Sequence, residues 1–86
     1  MQIKGIVVGA TGSIGKQIVA DLSNKNITVA SIGRDKKKLS ELTLQYNNTV
    51  GYRCDITNTK NCRLTIKKIL KDLKEIDFIV FAHGVG

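Results

Sequence analysis

The 86-residue sequence has no proline, no tryptophan, one histidine and only two cysteines, and these shortages narrow its function. Without proline, the usual breaker of helices and inner strands is missing. No apolar run reaches the roughly 18 residues that span a bilayer, and residues 5–10 are too short for the apolar core of a signal peptide. The sequence therefore predicts a protein with no membrane partner.

The two cysteines, Cys54 and Cys62, lack the paired spacing of a metal site. We therefore expect no metal, and a reducing cytoplasm is the simplest compartment for two lone thiols. A disulfide between them is allowed by their number alone. Neither thiol has an activating histidine or lysine at a motif spacing, so neither is predicted to be a nucleophile.

Acidic residues are also scarce: the sequence has 7 of them and 14 lysines and arginines, which gives a net charge of +7. Such an excess suits nucleic acid or a phosphate-bearing ligand. On a helix, much of the charge falls on one stripe opposite an apolar stripe, which is typical of a solvated outer face. The stripe consists of Arg63, Lys67, Lys71 and Lys74. Because no aromatic residue interleaves with it for stacking on bases, we expect no nucleic-acid partner.

Apolar and amphipathic segments alternate along the whole chain. Strands are predicted at residues 3–8, 27–32, 50–53 and 76–82. Helices are predicted at residues 13–22, 36–46 and 59–74, the second capped by Asp35 and the third by Thr57 or Asn58. This alternation indicates an α/β fold with right-handed crossovers and a parallel sheet in the order 3-2-1-4. Residues 1–86 then form a single domain, half of a doubly wound one.

Three glycines, Gly9, Gly12 and Gly15, lie between the first predicted strand and the first helix. In a dinucleotide-binding turn, the first allows the tight turn, the second lets a diphosphate approach, and the third lets the helix pack closely on the strand. Amide groups at the helix start would attract the phosphates. Thr11 and Ser13 offer hydroxyl groups to the same anion.

The spacing of this motif leaves an alternative open. It is G-x-x-G-x-x-G rather than G-x-G-x-x-G, and a glycine-rich turn that merely packs would look similar. A Walker loop fits less well, because Lys16 is followed by Gln17 rather than serine or threonine.

The end of the second strand indicates the choice of cofactor. An acidic side chain here would bind the ribose hydroxyls of NAD, but Gly33 and then Arg34 occupy the place. A guanidinium can hold a 2′-phosphate through two parallel hydrogen bonds. The sequence therefore predicts that NADP(H) is preferred over NAD(H), with Arg34 as an ordinary surface residue the alternative.

Four blocks together resemble the short-chain dehydrogenase/reductase family: "GATGSIG" at 9–15, "GRDKKKL" at 33–39, "CDIT" at 54–57 and "IDFIVFAHG" at 76–84. The resemblance implies a Rossmann-like, NAD(P)-binding fold and adds Ile14 to the turn that holds the cofactor. It implies that Asp55, with Ile56 beside it, contacts the adenine. By the same resemblance, Ala82 and Gly84 lie against the adenosine ribose, whereas Phe81 and His83 depart from the family's pattern. His83 has no carboxylate nearby to orient it, so we expect a loop or ribose contact rather than a catalyst.

The resemblance also shows what is missing. The family's tyrosine, with a lysine four residues on, lies beyond the fourth strand, whereas Tyr46 and Tyr52 are followed at that spacing by Val50 and Ile56. No catalytic residue is therefore predicted. We expect the NADP(H)-binding portion of an oxidoreductase that moves hydride between NADPH and a carbonyl or alcohol, truncated after the fourth strand and inactive alone. The alternative is a non-enzymatic dinucleotide-binding or redox-sensing module. The substrate, and whether a homo-oligomer or a missing carboxyl-terminal half completes the chain, stay open.

Overall fold

The computed structural model describes residues 2–82, which form a four-stranded parallel sheet with three helices. The strands are β1 (Lys4–Val8), β2 (Thr28–Gly33), β3 (Thr49–Arg53) and β4 (Phe78–Phe81). The helices are α1 (Ser13–Asn24), α2 (Lys36–Gln45) and α3 (Thr59–Leu73). The strand order is β3-β2-β1-β4 with parallel pairing throughout, which confirms the predicted topology.

The ends of the elements differ from the predicted ones by up to two residues. β4 was expected over residues 76–82 but pairs with β1 only from Gly5 opposite Phe78 to Val8 opposite Phe81. Within residues 2–82, β1 is its only partner strand, and the amides of the flanking Asp77 and Ala82 still donate to the carbonyl oxygens of Lys4 and Val8. α1 continues two residues beyond its predicted end, and α2 ends at Gln45 because the following Tyr46 is extended.

The core has two layers, one on each face of the sheet. On one face, α3 covers a cluster that consists of Ile6, Val8, Ala30, Ile32, Tyr52, Cys54 and Ile69. On the other, α1 and α2 cover a cluster that consists of Val7, Ala10, Val19, Val29 and Leu42. β1 therefore buries side chains on both faces, which explains its continuous apolar sequence.

The edge strand β4 leaves apolar surface uncovered. Ile79 and Phe81 are 44% and 69% exposed, and they pair with Ile6 and Val8, so they lie on the face that α3 covers. Within residues 2–82, α3 is the only helix on this face, and it does not extend over β4 enough to bury them. No helix in the described part of the chain is long and apolar enough to cross a membrane.

Candidate functional site

The glycine turn, residues 9–15, joins β1 to α1 at the carboxyl edge of the sheet. Gly9 has a φ of 82°, in the left-handed region that side chains disfavour, so the tight turn needs glycine here. The amides of Gly9 and Ala10 both donate to the carbonyl oxygen of Ile32, each at 2.9 Å. The turn is thereby fixed to the end of β2.

Gly12 and Gly15 have opposite surroundings. A Cβ atom on Gly15 would collide with the carbonyl oxygen of Gly9 and lie 2.8 Å from the Cα of Ala10, so α1 packs directly on the turn. Gly12 is exposed and extended, with φ −75° and ψ 168°, and a Cβ there would lie 3.7 Å from its nearest neighbour, the Gly9 oxygen. Folding thus accounts for glycine at 9 and 15 but not at 12.

The first turn of α1 has no side-chain cap. Gly12 is its N-cap residue. Its carbonyl oxygen accepts from the Lys16 amide at 2.9 Å, but it has no side chain to accept from the amides before that one, and the first turn holds no acidic residue. By contrast, Asp35 caps α2 by accepting from the Lys38 amide at 3.2 Å, and Asn58 caps α3 by accepting from the Asn61 amide at 3.1 Å. The amides at the start of α1 are therefore suited to an external anion.

Three further residues predicted for the cofactor site lie at this helix start. Ser13 and Ile14 are exposed, and Thr11 is half-buried. Thr11 lies against β2, because a Cβ on Gly33 would come within 2.8 Å of its methyl group and 3.0 Å of its hydroxyl oxygen. Gly33 is thus needed for packing against the glycine turn, a reason that the sequence did not reveal.

A pocket of about 430 Å³ opens where β2 and β3 end. We call it the arginine pocket, and it is lined by Arg34, Arg53, Cys54, Asp55, Asn58 and Asn61. Two residues predicted from separate motifs, Arg34 and Asp55, are therefore brought together. Its walls carry two guanidinium groups and a single carboxylate, a balance that suits an anion beside a polar ring.

Sequence reasoning missed Arg53. Its Nε donates to the carbonyl oxygen of Arg34 at 3.1 Å and so ties the end of β3 to the residue after β2. In the parallel register, Arg53 lies opposite Gly33. That pairing was available in principle, since an arginine two residues before Asp55 ends the strand next to β2.

The carboxylate of Asp55 is held by the loop that follows it. It accepts hydrogen bonds from the hydroxyl and the amide of Thr57, at 2.6 and 3.0 Å. These two bonds, with a smaller contribution from the positive charge of Arg34, lower the pKa of Asp55. The side chain is exposed and ionised at neutral pH, as an acceptor for an amino group should be.

The other residues expected near the adenosine are placed less directly. Ile56 is half-buried and packs against the core cluster under α3. Ala82 is buried at the end of β4, where its amide donates to the Val8 carbonyl oxygen at 2.9 Å. His83 and Gly84 lie outside the described residues.

Neither tyrosine is placed as a proton donor at this site. The Tyr52 side chain is only 6% exposed, and its hydroxyl donates to Asp72 on α3 at 2.8 Å. Burial, followed by this hydrogen bond and the charge of Asp72, raises the pKa of Tyr52 to about 12. Tyr46 follows α2 and lies with Gln2 and Thr28 near the amino ends of the strands, away from the glycine turn. Within residues 2–82, no group of three histidine, cysteine, aspartate or glutamate side chains could hold a metal ion.

Comparison with known proteins identifies a family. The model described as short chain dehydrogenase matches residues 5–86. Two curated relatives are similar in sequence. A 3-oxoacyl-acyl-carrier-protein reductase, FabG, of Buchnera aphidicola is 31% identical over 93% of this chain and 34% of its own length. A benzil reductase ((S)-benzoin forming) of Bacillus cereus is 32% identical over 81% of this chain and 29% of its own. The chain therefore spans about a third of the length of the relatives it matches.

Solved structures share the fold. ElxO with NADP bound superposes with a TM-score of 0.86 at 24% identity, over 100% of this chain and 36% of that one. A 3-ketoacyl-(acyl-carrier-protein) reductase of Brucella melitensis, complexed with NADH, gives 0.84 at 14% identity, over 90% and 32%. One neighbour thus carries the cofactor that has a 2′-phosphate, and the other carries the cofactor that lacks it.

Proposed function

The chain belongs to the short-chain dehydrogenase family, and on that premise we propose that its residues form one unit that binds a nicotinamide dinucleotide through the glycine turn. The observation that carries the proposal is Gly12. It is the glycine of the turn that the fold does not require, and it stands before the uncapped amides of α1. A diphosphate at this place supplies the missing acceptors and explains the absent side chain.

The rest of the site follows from the end of each strand. The adenosine lies in the arginine pocket, where the ionised Asp55 accepts from the adenine amino group and Ile56 flanks the ring. Ala82, His83 and Gly84 lie along the ribose, while Thr11, Ser13 and Ile14 complete the phosphate side. Parallel sheets bind their ligands at this carboxyl edge.

The preferred cofactor is NADP(H). Arg34 and Arg53 line the arginine pocket together, and Gly33 brings no carboxylate to oppose a 2′-phosphate. Arg34 contacts the phosphate, and Arg53 holds the backbone of Arg34 in place through the bond to its carbonyl oxygen. The Arg34 guanidinium and the 2′-phosphate form the charge-assisted pairing that distinguishes NADPH from NADH, and the nearby charge of Arg53 adds to the attraction.

Titration of NADPH and NADH against wild type and two variants tests this assignment. Arg34→Ala should weaken NADPH by about 10- to 150-fold, the equivalent of a hydrogen bond to a charged group, and leave NADH nearly unchanged. Lys37→Ala is the matched control. It also removes one positive charge from an exposed side chain, but Lys37 does not line the pocket. An equal loss of NADPH affinity in both variants would mean that only the net charge matters and not the contact with Arg34. A wild-type protein that binds NADH as tightly as NADPH would disprove the preference.

The protein to which these residues contribute is an NAD(P)-dependent oxidoreductase that moves hydride between NADPH and a carbonyl or alcohol. We propose that the 86 residues alone bind the cofactor without turnover, because the Tyr52 hydroxyl is committed to Asp72 and neither tyrosine has a lysine four residues on. Assay of the purified chain with NADPH and a panel of aldehydes and ketones tests this. NADPH consumption above a heat-inactivated control would contradict it.

The compartment we propose is the cytoplasm. Cys54 and Cys62 are both free thiols although their sulfur atoms lie only 3.7 Å apart. Two thiols in contact stay reduced most readily where the environment itself is reducing.

A further inference from the structure

A pair of thiols lies beside the arginine pocket, of which Cys54 lines the wall and Cys62 does not. The Cys54 thiol donates to the sulfur of Cys62 at 3.7 Å, so the two sulfur atoms are in contact. Cys54 follows β3 and is 2% exposed, whereas Cys62 is in the first turn of α3 and is half-buried. A disulfide requires a sulfur separation of about 2.05 Å, so a shift of under about 2 Å would join them.

The two cysteines bracket the segment of residues 55–61. Three side chains of this segment line the arginine pocket, namely Asp55, Asn58 and Asn61. The segment is already tied down, because the Asp55 amide donates to the side-chain oxygen of Asn61 at 3.3 Å. A bond between the sulfurs would draw the start of α3 toward the end of β3 and narrow the pocket.

We propose that Cys54 and Cys62 form a reversible intramolecular disulfide on exposure to a peroxide, and that this bond weakens binding of the adenine end of the dinucleotide. The first part depends only on the two thiols. The second part rests on the proposed function. The pair is thus a redox modification site that controls the cofactor pocket.

The chemistry requires only the two thiols and the peroxide. Cys62, the more exposed of the two, loses its proton, and its thiolate attacks one oxygen of hydrogen peroxide. The O–O bond breaks, a sulfenic acid forms, and the departing hydroxide takes up the released proton as one water. The Cys54 sulfur then attacks the Cys62 sulfur, the S–S bond forms, and the hydroxyl group leaves with the Cys54 proton as a second water. Two electrons pass from the sulfurs to the peroxide. A small dithiol reverses the reaction by exchange.

The surroundings of Cys62 make the reaction slow. Burial raises the pKa of the Cys62 thiol, and the hydrogen bond and charge of Cys54, then the charge of Asp55, raise it further. The thiolate fraction at neutral pH is therefore small. The pair responds to sustained peroxide and is not consumed by brief exposure.

Peptide mapping of the peroxide-treated chain tests the bond directly. Trypsin cleaves after Arg53, Lys60 and Arg63, so Cys54 is released in peptide 54–60 and Cys62 in peptide 61–63. We expect these peptides to be linked in the monomeric protein, to separate after dithiothreitol, and to stay separate in Cys62→Ser. The proposal is overturned if the peptides of treated wild type are unlinked, or are linked only in covalent dimers.

Titration of NADPH against the reduced and the oxidised chain tests the consequence. We expect affinity to fall by about tenfold on oxidation, the effect of one lost hydrogen bond, and to return with dithiothreitol. Peroxide-treated Cys62→Ser should keep its affinity. If the disulfide forms but the affinity for NADPH is unchanged, the proposal that the disulfide controls the pocket is overturned. If the peptides are linked but the reduced chain does not bind NADPH, the disulfide is established and the proposed function is contradicted.

Discussion

Replacement of Gly12 by valine tests whether this glycine is required for ligand binding or for folding. The valine Cβ would lie 3.7 Å from its nearest neighbour, an ordinary contact, and the backbone at φ −75° and ψ 168° is one that valine adopts readily. The branched side chain would nevertheless stand in front of the uncapped amides of α1. We therefore expect a folded protein with an obstructed phosphate site.

The size of both effects follows from these contacts. Valine is a poorer N-cap than glycine, which costs about 1 kcal/mol of folding free energy or less. Loss of one hydrogen bond between an amide and a charged phosphate costs about 1.5–3 kcal/mol, or about 10- to 150-fold in the dissociation constant of NADPH. At Gly15, where a Cβ meets backbone atoms of Gly9 and Ala10, alanine alone should cost about 1–3 kcal/mol or more of stability.

The assay compares wild type, Gly12→Val and Gly15→Ala by circular dichroism, urea unfolding and fluorescence titration of NADPH. Gly12→Val should keep the spectrum and nearly the unfolding midpoint but lose affinity, while Gly15→Ala should lose stability first. Wild-type affinity in a folded Gly12→Val protein would refute the role of this glycine. A Gly12→Val protein that unfolds would show that position 12 has a structural role which the contacts do not reveal.

Three further changes test the packing around the site. Tyr52→Phe should cost about 0.5–1.5 kcal/mol at pH 7 by removing the bond to Asp72. Folding raises the pKa of Tyr52 from 10.0 to about 12, so the stability that its hydroxyl contributes is complete below pH 10 and is lost as the pH rises toward 12. The difference in unfolding free energy between wild type and Tyr52→Phe, measured with urea, should therefore become smaller over that range. Asn58→Ala removes the cap on the Asn61 amide and should lower the unfolding free energy by about 0.5–2 kcal/mol, and an unchanged midpoint would contradict that. Ser31→Ala should be neutral or stabilising by up to about 1 kcal/mol in thermal unfolding, because this buried hydroxyl has no hydrogen-bond partner among residues 2–82; a clear loss would reveal one.

The strand order and the helix caps could be predicted because they depend on local signals. The alternation of apolar strands with amphipathic helices fixes the crossovers, and Asp35 lies one residue before the first helical turn that it caps. The choice between Thr57 and Asn58 could not be made from sequence, since both can cap. The structure shows Asn58 as the cap, while the Thr57 hydroxyl donates a hydrogen bond to the Asp55 carboxylate.

Features that depend on contacts between distant residues could not be predicted. Gly33 was interpreted through the carboxylate that it lacks, but its contact with Thr11 arises only when β1 and β2 pair. Arg53 carried no motif, and its role follows from the parallel register that places it beside the end of β2. The contact between the two thiols depends on how α3 returns over β3, which no spacing rule describes.

The shared carbonyl of Ile32 has a consequence for hydrogen exchange. The amides of Gly9 and Ala10 both donate to this one oxygen, so neither can exchange with solvent until the glycine turn lifts from the end of β2. Their protection factors, the intrinsic exchange rates divided by the observed ones, should therefore be matched and report a single opening event rather than two. If a dinucleotide binds across the turn as proposed, exchange at both amides should slow by the same factor, a paired effect that a ligand elsewhere on the chain would not produce.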